Sequence, residues 1–194
     1  MLTSIRRAVG ALVLRLLRFR FVDHAQTQGR SGVIIGAPHT SNWDLPIGLA
    51  LAWRAGYRFK VLVKDAAFVG PFGPIARALG AIPVNRANPG GLTQEIVRQL
   101  AEGKPFFLGV AAEGTRSRGE YWKSGFYRIA RDAGLPVTFG YLDTVTRTAG
   151  FGPTIELTGD VSADMDKVRE FYLPKRGMRP GLETPPRLRE EDRD

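Results

Sequence analysis

Residues 32–44 read Gly32-Val33-Ile34-Ile35-Gly36-Ala37-Pro38-His39-Thr40-Ser41-Asn42-Trp43-Asp44. The apolar run Gly32 to Gly36 reads as a buried strand. Thr40, Ser41 and Asn42 supply the turn and cap chemistry that starts a helix, expected over Trp43 to Arg54. His39, one of two histidines in the chain, is therefore released from a strand end into a loop, with an aspartate five positions on. On a continuous helix those two positions point about 140° apart, so His39 and Asp44 meet only if the backbone turns between them.

Outward from this stretch, short apolar runs alternate with helical patterns. Strands are expected at Tyr57 to Val63, Ala81 to Val84, Pro105 to Ala111, Leu135 to Leu142 and Thr154 to Leu157. Helices are expected in a short piece ending at Leu79 and at Gly91 to Glu102, Gly125 to Ala133 and Asp164 to Phe171. A Gly/Pro-rich loop, Gly70-Pro71-Phe72-Gly73-Pro74, precedes the short helix. This alternation predicts an α/β fold: a single domain with a largely parallel sheet flanked by helices. In such sheets the reacting groups gather beyond the carboxyl ends of the strands, where both His39 and Glu113 fall.

An imidazole oriented by a carboxylate is half of a catalytic triad, and no nucleophile accompanies it. The pattern suggests that the substrate supplies the attacking oxygen. Ser41 as a covalent nucleophile is the weaker enzymatic alternative: it lies two residues from His39 and lacks the Gly-x-Ser-x-Gly elbow that exposes such a serine. His24 has no acid at useful spacing and reads as a surface residue.

Composition narrows the chemistry. The 194 residues contain no cysteine, which removes disulfides, thiolate metal sites and a thiol nucleophile. Two histidines without His-rich spacing give no metal site, and no cofactor is expected. Lys and Arg number 28 against 19 Asp and Glu, a net charge of +9. Such a surface suits an anionic partner: a phosphorylated substrate, an anionic bilayer or nucleic acid. A non-catalytic basic module binding membrane or nucleic acid would fit the charge alone. However, no nucleic-acid motif appears, and the phenylalanines lie mostly in apolar runs rather than as spaced stacking platforms.

No window reaches the roughly 18 apolar residues of a membrane span. Residues 1–28 are set apart as an amphipathic N-terminal segment. On a helix of about 100° per residue, Leu2, Ile5, Val9, Leu12, Val13 and Leu16 share one face, with Arg7, Arg15 and Arg18 opposite, and Leu14 breaks the pattern. Packing on its own domain and lying in a bilayer interface are both open to such a helix. Six arginines against the single acid Asp23 within residues 1–30 favour the interface. Residues 29–173 form the expected main domain. Residues 174–194, rich in proline and charge, are expected to be a mobile tail.

Four segments then fall in a telling order: His39-Thr40-Ser41-Asn42-Trp43-Asp44, Gly80-Ala81-Ile82-Pro83-Val84-Asn85-Arg86, Glu113-Gly114-Thr115-Arg116-Ser117 and Leu135-Pro136-Val137-Thr138-Phe139. Together they resemble the glycerolipid acyltransferases, in particular the 1-acylglycerol-3-phosphate (lysophosphatidate) acyltransferase family. The resemblance runs from about Val33 to Leu142, with Lys64, Phe72-Gly73-Pro74 and Lys123-Ser124-Gly125 also family-like. It implies that His39 is the general base and Asp44 its partner. It places an acceptor phosphate at Glu113, Gly114, Thr115 and Arg116 with Arg86 as a further contact. Ser41, Asn42, Lys64 and Lys123 are possible supporting residues, and Glu113 is read as orienting Arg116 or a helix end.

The implied reaction moves a fatty acyl chain from a thioester to a lysophospholipid hydroxyl. The implied partners are a membrane surface, approached peripherally from its cytoplasmic side, the lysophospholipid, and acyl carrier protein or coenzyme A as thioester carrier. Nucleic acid is not among them. Ala111-Ala112 and Thr138-Phe139-Gly140 depart from the family pattern in regions associated with acyl-chain and acceptor fit, so a different lysolipid acceptor is the alternative reading.

Overall fold

A computed structural model describes residues 2–27, 29–64, 68, 72–78, 80–84, 94, 96, 98 and 105–193. The elements are α1 (Leu2–Leu16), β1 (Arg20–Asp23), β2 (Gly32–Ala37), α2 (Asp44–Ala55), β3 (Phe59–Lys64), α3 (Phe72–Ala78), β4 (Ala81–Val84), β5 (Phe107–Val110), α4 (Gly125–Asp132), β6 (Val137–Asp143), β7 (Thr148–Ile155) and α5 (Val161–Tyr172). A 3-10 turn at Arg189–Arg193 ends the described chain. Of the expected helix 91–102, the described residues Gln94, Ile96 and Arg98 are helical. Phe72, Gly73 and Pro74, expected in a loop, already belong to α3.

The strands form one sheet in the order β1-β7-β6-β2-β5-β3-β4. Every pairing is parallel except β6 with β7, a hairpin that reverses the direction of β7 and of β1 beside it. β2 lies near the middle, buried on both faces, which is why its sequence is an unbroken apolar run. Val33 and Ile35 point into a core with Leu108, Phe126, Phe139 and Met165. Ile34 points the other way, into a core with Ile47, Leu51, Phe107, Leu142 and Phe151. So α2 covers one face of the sheet, and α4 and α5 cover the other.

β2 and β5 are adjacent, yet β2 leads into a helix on one face and β5 into a helix on the opposite face. Diverging connections open a crevice at the strand ends. The Tyr172 hydroxyl, buried beneath this point, lies 3.1 Å from the Ile35 carbonyl and 3.0 Å from that of Gly140, and so braces β2 to β6.

Three features differ from expectation. The segment 1–28 contributes an edge strand, β1, hidden in the sequence because its four residues show little apolar contrast. In α1, Leu14 is buried and Gly10 packs so closely on α2 that a Cβ there would lie 2.5 Å from the Ala50 carbonyl. The apolar stripe Ile5, Val9, Leu12 and Leu16 is instead exposed. Leu14, which broke the sequence pattern, is the fully buried one, and Val13 from the predicted face packs beside it against the core, partly buried.

Residues 174–193, expected to be a mobile tail, are packed: Thr184 and Leu188 are buried, and Trp122 Nε1 donates to the Thr184 carbonyl at 2.9 Å. Leu188 joins the core that holds Trp122 and Met165, and the charges of the segment find partners. Glu191 pairs with Arg169, Asp192 with Arg187, and Glu183 accepts backbone N–H groups of its own loop. The prolines also lessen the entropy lost on ordering.

Candidate active site

β2 ends at Ala37, the Ala37–Pro38 peptide is cis, and α2 begins at Asp44. Between them the backbone closes tightly. The Ser41 carbonyl accepts Asp44 N–H at 3.3 Å, and Ser41 Oγ accepts Trp43 N–H at 3.2 Å. The reversal aims the Asp44 side chain back along the chain, where Oδ2 accepts Ser41 N–H at 2.7 Å and stands 3.1 Å from His39 Nδ1. A carboxylate in the first turn of a helix is also favoured by the helix dipole. The pairing assigns the proton to Nδ1 and leaves Nε2 free to take one. The Asp44 side chain is 8% exposed and that of His39 20%, so the pair is shielded yet reachable.

Glu113 follows β5 and is buried. Its Oε1 accepts His39 N–H at 2.6 Å and its Oε2 accepts Thr184 N–H at 2.8 Å. Burial pushes its carboxyl above the ordinary value, and the N–H groups of Thr184 and His39 pull it back. Both oxygens of Glu113 are thus engaged by backbone N–H groups, and among the described residues neither contacts Arg116. It braces the loop that carries His39.

Gly114 adopts a left-handed conformation (φ 69°), and a Cβ there would lie 2.6 Å from Lys123 Cγ, so both backbone and space require glycine. Lys123 N–H donates to the Ala112 carbonyl at 2.7 Å, and its exposed side chain packs over Gly114. Thr115 Oγ1 accepts Ser117 N–H at 3.3 Å. Of the segment 113–116, Arg116 is the residue that lines the cavity described next. Arg86 and the Lys64 side chain lie outside the described residues.

A cavity of about 320 Å³ opens at His39, Ser41, Asn42, Asp44 and Arg116 and runs between α2 and the sheet. Its inner wall is apolar: Ile34, Leu51, Phe59, Leu142 and Phe151, with Gly36, Gly109 and Gly140 where the strands would otherwise project side chains. Gly36 and Gly140 are register partners on adjacent strands; Ile34 and Phe151 pack over Gly140, and the Phe59 ring over Gly109, where a Cβ would stand. Glycine within an apolar strand is the sequence signal for such a close approach. It is visible in Gly32–Ala37, Phe107–Val110 and Val137–Asp143.

The acyltransferase family model matches residues 18–138, more than half of the chain. The chain belongs to the acyltransferase family. The structure is similar to the crystal structure of the 1-acyl-sn-glycerophosphate (LPA) acyltransferase PlsC from Thermotoga maritima, with a TM-score of 0.52 and 15% identity, covering 87% of this chain and 74% of that one. A gluconokinase from Sinorhizobium meliloti 1021 also matches, at 18% identity over 80% of each chain, but its TM-score of 0.29 carries no argument. No curated protein sequence matches this one.

For an acyltransferase the arrangement has a clear division of labour. An imidazole with a fixed tautomer sits at the mouth of an apolar cavity, with a guanidinium on the same rim. One end of the site carries groups able to exchange a proton and meet an anion, and the other is apolar.

Proposed function

We propose that this acyltransferase moves a fatty acyl chain from a thioester to the free hydroxyl of a lysophospholipid such as 1-acyl-glycerol-3-phosphate. The observation that carries the reading is the His39–Asp44 pair at the polar mouth of an apolar cavity that Arg116 also lines. His39 Nε2 takes the hydroxyl proton as the oxygen attacks the thioester carbonyl. The tetrahedral intermediate collapses with loss of the thiolate, which receives that proton from the imidazolium, so base and acid roles close on one ring. Asp44 holds the ring and stabilises its charged form. The cavity takes the acyl chain, and Arg116, joined by Arg86, takes the acceptor phosphate.

A membrane surface fits as the place of reaction. No helix among the described residues is long and apolar enough to cross a membrane. The exposed stripe of α1, and Trp43 and Leu45 at the start of α2, are apolar surfaces left uncovered by the described residues. Arginines accompany the stripe, as they do on helices that lie in an anionic interface. We place the protein peripherally on the cytoplasmic side, where acyl carrier protein and coenzyme A thioesters are made.

The test is purified protein with vesicles, a panel of lysolipids and both thioester donors, scored by mass spectrometry. Transfer to a phosphorylated lysolipid is expected, and Arg116→Ala raises KM for that acceptor more than it lowers kcat. Absence of transfer to every lysolipid, or a KM unchanged in the Arg116 variant, overturns the reading.

A further inference from the structure

The segment 176–184 leaves the sheet at one side of the site and returns to it at the other. At its start Arg176 N–H donates to Asp143 Oδ1 at 3.2 Å, and Thr144 N–H donates to the Arg176 carbonyl at 2.9 Å. At its end Thr184 N–H meets Glu113, and Thr184 Oγ1 accepts Gly119 N–H at 2.9 Å. Glu183 closes the intervening loop, accepting Gly177 N–H at 2.9 Å and Gly181 N–H at 2.7 Å.

Midway, the strap touches both neighbours of His39. Arg179 N–H donates to Thr40 Oγ1 at 3.0 Å. Gly177 packs so closely that a Cβ there would lie 2.5 Å from Thr40 Oγ1, 2.9 Å from Thr40 Cγ2 and 3.2 Å from Pro38 Cβ. His39 itself is held through its N–H by Glu113, whose second oxygen the strap occupies. Pro38, His39 and Thr40 are thus each fixed, directly or through one carboxylate, by the last twenty residues of the chain.

We propose that residues 176–184 are a positioning strap for His39, with Thr40, Gly177 and Thr184 as positioning residues; this rests on His39 being the base assigned above. Asp44 sets the ring's tautomer, while the strap sets where the backbone presents the ring. A packed contact that excludes even a methyl group from Gly177 leaves the loop little freedom to relax.

The test compares the full-length chain with Gly177→Ala, which drives the strap off Thr40, with Thr40→Val, which removes the acceptor but keeps the shape, and with Thr40→Ser, which keeps the acceptor. Misplacing a catalytic group by about 1 Å can cost on the order of 10²-fold, so Gly177→Ala and Thr40→Val are expected to lower kcat by about tenfold or more. KM stays within about twofold, since the binding surfaces are untouched. Thr40→Ser retains kcat.

With only two histidines in the chain, the imidazole NMR resonances of His39 and His24 can be followed separately. The His39 ring resonances move in Gly177→Ala and Thr40→Val as its contact with Asp44 loosens, and those of His24 stay. Unchanged kcat and unchanged His39 ring resonances in the folded variants overturn the proposal. Should Gly177→Ala fail to fold, Thr40→Val alone decides. A parent chain without acyl transfer overturns the functional reading instead, and the His39 resonances still test the strap.

Discussion

Asp44 stands with Oδ2 3.1 Å from Nδ1 of His39, the first residue of α2 reaching back across four residues to the loop that follows β2. The same oxygen also accepts Ser41 N–H, while Oδ1 is buried and takes no hydrogen bond from the described residues. The carboxylate is therefore committed to the imidazole and to the turn that delivers it.

Removing the ring should remove the chemistry. His39→Ala is expected to lower kcat by about 10²- to 10⁴-fold, the range a positioned general base supplies, with the fold intact by circular dichroism. Asp44→Asn keeps an acceptor for Ser41 N–H but no longer stabilises an imidazolium, so kcat falls while KM holds. Steady-state kinetics on both variants check this. Near-parental turnover by the His39 variant ends the mechanism.

The cavity makes a separate prediction at Gly48, which lines it from α2 with nothing within 4 Å of where a Cβ would stand. Gly48→Ala is expected to stabilise the protein by about 0.5–1 kcal/mol, because glycine in a helix interior costs that much relative to alanine. Gly48→Phe, projecting a ring into the cavity, shifts the preferred donor toward shorter acyl chains. Urea denaturation reads the first effect and a donor-length series the second. An unchanged length profile in the phenylalanine variant removes the acyl chain from this cavity.

Most of this architecture was legible because its determinants are local. β2 and β5 are continuous apolar runs, and α2 ends at Gly56, whose left-handed conformation (φ 81°) suits only glycine well. The hidden parts depend on partners distant in sequence. β1 exists because β7 lies beside it, and the antiparallel turn of β7 has no signature in the apolar pattern. Glu113 sits in a segment that suggested phosphate binding, and its true role needs Thr184, 71 residues away, to be known. Leu14 broke an amphipathic pattern that was real but faces outward.

Acid should weaken the strap's anchorage at Asp143. Burial alone would raise this carboxyl. The Thr146 hydroxyl at 2.6 Å, the N–H groups of Arg176 and Val145, and the charge of Lys175 hold it below its ordinary 3.8. A carboxyl lowered by folding contributes stability that is complete above the unfolded value and is lost as pH falls through the folded one. The stability difference between the parent chain and Asp143→Asn should therefore shrink as pH is taken below 3.8. Urea midpoints over a pH series measure it, and a difference that stays constant into acid contradicts it.

The two faces of α1 should separate membrane binding from folding. Leu14 is 2% exposed in the core with Ile47 and Leu51, and Leu14→Ala is expected to cost about 2–5 kcal/mol. Leu12 and Leu16 are 56% and 72% exposed, so Leu12→Gln with Leu16→Gln should leave stability within about 0.5 kcal/mol per site. The outward pair nevertheless supplies apolar area for a bilayer interface, with Arg15 and Arg18 nearby for anionic headgroups. Cosedimentation with phosphatidylglycerol–phosphatidylethanolamine vesicles should fall sharply in the double glutamine variant, while Leu14→Ala, assayed where it remains folded, binds as the parent does. Unaltered sedimentation of the double variant would show that this stripe is not a membrane-binding face.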